Sequence, residues 1–425
     1  MISAKAANPP ENLSPNTKKL KILCLSSMDY GGGGDLATLY NDFFIKLGYE
    51  STLIVKDKKK ANSAIVYKRT LVNKLNAFLF RFHYSAIKTI ERYCFHSFYE
   101  TINTVSVKKL LKLCPYSPEI ICLFWVSDFI NAKTIKKIKN KTGAKIFWFA
   151  ADNAPFTGGC HYAWDCEGYK KSCTNCPAII DIRHKNFAEN NLKFKIDHLP
   201  ADTQLITGAL NYRRGILSTL FRRKKAIKFY GYVDETRFVP EDKKLMKRYW
   251  GIGDNDRKVI LFGASKVSDP RKGFSLLLDA LRKIHSEKYI LLVAGAFDTE
   301  VKTNIDIKKL GHLSESELIR AYQAADIFVC PSIEDAGPMM INQAIMCGTP
   351  VVSFDMGVAT DIVKTGITGY NAKLGDIEDL KNGLETLINL DESGYRKISK
   401  HCREFALEHY SFGACKKNLI NIFQG

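Results

Sequence analysis

The chain has 425 residues, 46% of them hydrophobic, 25% charged and 11% aromatic, a globular composition that excludes a disordered or fibrous protein. That length corresponds to two or three domains, each able to bury a core, so a single small domain is also excluded. The formal net charge is +19 and all of it precedes Tyr230, with 37 basic and 17 acidic residues up to that point and 26 and 27 after it.

Such a field concerns partners rather than fold, and nucleic acid, an anionic membrane surface or acidic substrates are the candidates. Residues 1–18 hold prolines and no apolar core, so they read as a disordered leader and not as a signal peptide. No apolar run approaches the ~18–20 residues that span a bilayer. With no export signal, the expectation is a cytoplasmic chain whose twelve cysteines are mostly reduced.

Short apolar runs then alternate with helical periodicity, the pattern of parallel sheets covered by helices. In the first half the strand-like runs are residues 21–27, 51–56, 119–126, 145–151 and 204–209. In the second they are 259–265, 289–296, 326–332 and 350–355. The expected fold is α/β, with two doubly wound Rossmann-like domains facing a cleft. The N-terminal domain takes residues 19–230 with a cysteine-rich loop at 152–178. A linker follows at 231–257, then a second domain at 258–410 and a C-terminal helix at 411–425.

Several stretches break the rhythm or carry chemistry. Between Lys56 and Lys112 there are 13 Lys or Arg and 3 Asp or Glu, interleaved with Phe, Tyr, Leu and Ile. This suits a helix on an anionic membrane surface, or one packing its aromatics inward and leaving a basic face solvated. The first strand runs into Gly31-Gly32-Gly33-Gly34, and Asp35 is expected to open a helix. Glycines there allow positive φ and close backbone approach, and the helix end offers amides to a phosphate. Cys160, Cys166, Cys173 and Cys176 fall within 17 residues. Three readings stay open for them: a structural zinc site, two disulfides, or four unlinked thiols.

In the second half, Pro331-Ser332-Ile333-Glu334-Asp335-Ala336-Gly337 leaves a strand and leads to a helix ending at Cys347-Gly348-Thr349-Pro350. Polar groups at such a turn sit at the carboxyl edge of the sheet, where ligands lie. Arg271-Lys272-Gly273, after another strand end, could neutralise phosphates there.

These motifs, with Gly31–Gly34 and Gly366-Ile367-Thr368-Gly369-Tyr370, resemble the donor site of glycosyltransferase family 4, which has the GT-B fold. The stretch Pro155 to Tyr162 resembles a subgroup that builds bacterial surface polysaccharides. The resemblance implies transfer of a hexosyl group from a nucleotide-diphosphate sugar, with retention of configuration, to a saccharide acceptor, expected to be lipid-linked. The enzyme would work at the inner face of the cytoplasmic membrane.

It also assigns residues. Catalytic candidates are Asp335, Glu334, Asp152 and His161; donor-binding candidates are Gly32, Gly33, Gly34, Arg271, Lys272, Gly337 and Gln343. Asp335 and Gln343 fall on the family's E-x7-E pair, and both depart from it. Ala264 and Ser265 replace a phosphate-binding Arg, leaving Arg271 as its substitute. Ala151 stands where the family has a His, so Asp152 and His161 are the nearby candidates. For His161, a zinc ligand or a hydrogen-bonded loop residue is an equal reading. Lys272, Arg271 and the Gly337 helix end would stabilise the diphosphate without a divalent ion, and Asp254-Asn255-Asp256 reads as a turn. Alternatives are a nucleotide-sugar epimerase or glycoside phosphorylase of the same fold, or a basic nucleic-acid-binding protein with a zinc loop. The cysteine spacing lacks the paired histidines of a finger, so no nucleic-acid partner is expected.

Overall fold

The computed structural model describes residues 19–84, 87–102, 104–253, 257–297, 303–337 and 339–424. The leader and the Asp254-Asn255-Asp256 turn lie outside these residues. Two parallel sheets organise the chain. The first contains β1 (Lys21–Met28), β2 (Glu50–Asp57), β3 (Ile65–Val66), β4 (Ile120–Leu123), β5 (Lys145–Phe149), β6 (Gln204–Thr207) and β7 (Ala226–Lys228), in the order β3-β2-β1-β4-β5-β6-β7. The second contains β8 (Lys258–Lys266), β9 (Tyr289–Ala296), β10 (Ile307–Gly311), β11 (Ile327–Cys330), β12 (Val351–Phe354) and β13 (Gly369–Ala372), in the order β10-β9-β8-β11-β12-β13.

The strands read as continuous apolar runs because both sheet faces are covered. Alternation along each strand sorts the side chains into two cores. On one face Leu23, Leu25, Ile54, Ile121 and Leu123 pack together. On the other, Ile22, Cys24, Leu53, Val55, Ile120 and Cys122 meet the helix Gly31–Lys46 through Tyr40, Phe43 and Phe44. Each such side chain contributes about 1.5–3 kcal/mol on burial. That second core is completed by the last helix, Phe412–Gln424, whose Phe412, Cys415, Leu419, Ile422 and Phe423 return to the first sheet. The second domain has one large core around β8, β9, β11 and β12.

The basic stretch after Lys56 is not one helix. Leu71–Tyr84 is helical, but Tyr93 and Phe95 are buried and the chain there forms bridges Thr89 to Ile179 and Phe95 to Cys160. Its second part thus packs inward against the cysteine loop. The first part turns large apolar side chains to solvent. No helix among the described residues is long and apolar enough to cross a membrane.

Candidate active site

The carboxyl edges of the two sheets face each other, and the expected site residues gather there. On the second sheet, β8 leads to the short turn Pro270–Lys272, closed by Gly273 at φ +68°. A Cβ on Gly273 would lie 1.9 Å from the Pro331 carbonyl oxygen, so only glycine lets the two loops touch. The Ile333 amide donates to the Arg271 carbonyl at 2.8 Å and fastens them. This contact brings Lys272 Nζ to 2.5 Å from Asp335 Oδ2. Burial opposes the Asp335 charge, yet Lys272, with Arg271 behind it, holds the carboxyl below its usual range. For Lys272 burial acts downward, and Asp335 more than reverses it. The pair is therefore ionic.

Arg271 spans the cleft. Its guanidinium lies 3.8 Å from the centre of the Tyr162 ring, its Nη2 is 2.5 Å from Asp269, and its Nη1 is buried with no hydrogen-bond partner. A buried donor left unmade is costly unless a ligand completes it.

On the first sheet, Asp152 follows β5 and its Oδ2 lies 2.5 Å from His161 Nδ1. The same nitrogen is 2.8 Å from the Trp125 indole nitrogen, while His161 Nε2 faces Ser127 Oγ at 3.3 Å. Nδ1 meets the indole donor and the carboxylate acceptor at once and can satisfy only one of them: a proton on Nδ1 serves Asp152 and leaves Nε2 to accept, at the cost of the Trp125 bond. Trp125 is seated by Gly33, where a Cβ would come within 2.5 Å of the indole Cβ. Gly31 to Gly34 themselves form the first turn of the helix Gly31–Lys46, correcting the expected start at Asp35. Close packing on Trp125 and on the end of β1 admits no side chain at Gly33 or Gly34, while Gly32 is open.

Three assigned residues are held by partners. Glu334 is fully engaged across the cleft with Arg214, whose Nη2 donates to its Oε2 at 3.0 Å. Arg214 also donates to Asn153 Oδ1 at 3.0 Å and to the Trp164 carbonyl at 2.9 Å. Gln343 accepts from the Tyr322 hydroxyl at 3.0 Å, which ties it to the buried Tyr322. Gly337 lies close before the helix Met339–Met346, as expected, and its amide donates to Asp335 Oδ1 at 3.2 Å. Glycine is needed there because a Cβ would fall 2.7 Å from Val358. Arg214, Trp125 and Ser127 carried no motif in the sequence, and Tyr162 was noted only as the end of the stretch Pro155 to Tyr162.

The four loop cysteines, Cys160, Cys166, Cys173 and Cys176, line one cavity of about 20 Å³. All twelve cysteines are free, so neither expected disulfide is formed. No group of three or more His, Cys, Asp or Glu among the described residues is placed to hold a metal ion. Burial pushes the Cys173 thiol up to about 12 and raises that of Cys160 well above its ordinary value. His161 is held by hydrogen bonds in this loop.

Two Rossmann-like sheets with this strand order around one cleft define the GT-B fold. Solved structures agree: sucrose-phosphate synthase from Thermosynechococcus elongatus superposes with a TM-score of 0.67 at 14% identity, over 96% of this chain and 98% of that one. HepE from Anabaena, solved in complex with UDP-glucose, gives 0.64 at 15% identity, over 95% and 99%. Residues 243–406 match the family model described as glycosyl transferases group 1. The phosphatidyl-myo-inositol mannosyltransferase of Mycobacterium leprae is 24% identical over 177 residues, 39% of this chain and 46% of that protein. The chain thus spans about half the length of that relative.

Proposed function

We propose that this chain is a retaining glycosyltransferase that moves a hexosyl group from a nucleotide-diphosphate sugar to a lipid-linked saccharide acceptor at a membrane surface, in the making of a surface polysaccharide. The observation that carries this reading is the buried, unpartnered Nη1 of Arg271 beside Lys272 in the cleft. It is a cationic donor left open at the carboxyl edge of a sheet, where a diphosphate would complete it.

When the donor enters, a phosphate oxygen competes with Asp335 for Lys272 and fills the open position on Arg271. Asp335, freed from Lys272, accepts from a hydroxyl of the sugar ring. The bond from the anomeric carbon to the phosphate oxygen breaks as the bond to the acceptor oxygen forms on the same face. The acceptor proton passes to the departing diphosphate, whose growing charge Lys272 and Arg271 stabilise. His161, held by Asp152, presents Nε2 to the acceptor side and orients its hydroxyl. Among the relatives, HepE binds UDP-glucose and the Mycobacterium leprae protein is a mannosyltransferase, which supports a nucleotide-sugar donor here.

The test is release of free nucleoside diphosphate from a panel of nucleotide sugars, with and without membrane lipid extract. Acceptor-dependent release supports transfer. Interconversion of the sugar without an acceptor would replace it with epimerisation, and phosphate-dependent release with phosphorolysis.

A further inference from the structure

The helix Leu71–Tyr84 presents an unusual surface. Leu71, Val72, Leu75, Phe78 and Leu79 are 58–82% exposed, while Ala77 is buried. Their spacing of one, three and four residues places them on one helical face. Isolated exposed apolar residues are ordinary, but five large ones in a continuous stripe mark a docking surface. The residues around it have one sign. From Lys58 to Ile90 there are eight Lys or Arg and no Asp or Glu. Lys68 and Lys74 are exposed, and Lys109 on the next helix reaches the ring of Tyr67 at 5.8 Å.

The helix is also tied to the cleft. Just before it, Arg69 Nη2 donates to the Asp128 carbonyl at 3.0 Å, as does Lys56 Nζ at 3.4 Å. Asp128 adjoins Ser127, the hydroxyl facing His161. We propose that this helix lies in the interface of an anionic bilayer, inserting Leu71, Val72, Leu75, Phe78 and Leu79 among the acyl chains while the surrounding lysines meet lipid phosphates. Apolar insertion and basic attraction are the two contributions that hold such helices at a membrane. A second copy of the chain is disfavoured as occupant, because it would bring another acid-free basic surface into contact. Docking here holds the acceptor side of the cleft beside the headgroups. The inference deepens the proposed use of a lipid-linked acceptor and rests on it only for its purpose, not for its geometry.

The experiment is co-sedimentation of the full chain with vesicles of phosphatidylcholine alone or mixed with phosphatidylglycerol. Binding is expected to the mixed vesicles and to weaken with salt. Leu75→Ser with Phe78→Ser should lower partitioning by about tenfold or more, with the far-ultraviolet spectrum and Tm unchanged. Lys68→Gln with Lys74→Gln should lower it several-fold and flatten the salt dependence. Binding by the Ser variant equal to that of the parent would overturn the proposal. So would a parent dimer, seen by light scattering, that the Ser variant abolishes. Turnover of a soluble acceptor separates the two readings: vesicle binding without any sugar transfer leaves the docking intact and removes the transferase. Transfer without vesicle binding does the reverse.

Discussion

The two sheets share a strand order but differ in what their carboxyl edges carry. The second domain is close to neutral, and its cleft charges are compensated at short range: Lys272 by Asp335 and Arg271 by Asp269. The first domain carries the whole charge excess. Its edge holds His161 between Trp125 and Asp152, a long cysteine loop and an outward apolar helix. The group 1 family model matches only within residues 243–406. The pattern shared with other proteins is thus concentrated in the near-neutral half, and what is individual to this chain in the other.

The strongest way to break that division is at the contact joining the halves. Arg214→Ala leaves Glu334 buried and unpaired, and should destabilise the protein by about 3–5 kcal/mol. The double variant with Glu334→Gln should recover much of this in denaturant unfolding. If Arg214→Ala unfolds like the parent, the halves are not coupled there. Next comes the donor side: Lys272→Ala should lower kcat/KM by about 10²–10³. Asp335→Asn added to it should restore lost stability but not turnover. Parent-like turnover in Lys272→Ala would place the donor elsewhere.

A smaller effect belongs to the acceptor side. Asp128 sits at φ +56°, and burial raises its carboxyl to about 6, although Lys56 and His161 act against this. Because that value lies above about 3.9 for an unfolded Asp, the folded state favours the proton. The stability this gives is complete below about pH 4 and lost as pH rises through about 6. Asp128→Asn removes the dependence, so its stability relative to the parent should grow between pH 4 and 7 by about 1–3 kcal/mol. Equal shifts in both proteins would show that Asp128 is not the responsible group.

The smallest expected effect concerns the cysteine loop. With free, buried thiols, a chelator should leave Tm unchanged, and all twelve thiols should react after denaturation without reductant. A lower Tm with chelator would mean that Cys160, Cys166, Cys173 and Cys176 close on a metal after side-chain rotation.

Much of the architecture was legible before any coordinates. Each of the nine strand-like runs overlaps an observed strand, because burial on both faces leaves an apolar run in the chain. The four strands without such a run, β3, β7, β10 and β13, all stand at sheet edges, where half-solvated residues such as those of Ile307–Gly311 suffice. Of the candidate site, Arg271, Lys272 and the Glu334-Asp335 turn were legible as turns at strand ends, whereas Asp152, His161 and Gln343 were named only through the family resemblance. Nothing local told that Gln343 accepts from Tyr322.

What the sequence alone determined is therefore whatever depends on local order: strand runs, the glycines that loops require, the one-sided charge and the turn motifs. The tertiary structure decided which of these meet. Arg214 and Glu334 lie 120 residues apart, and nothing local marks either as the other's partner. The periodicity of Leu71–Tyr84 specified an apolar face but not its direction, since a helix can turn that face to a core or to a bilayer. Only the exposure of Leu71, Val72, Leu75, Phe78 and Leu79 in the folded chain shows that it points outward.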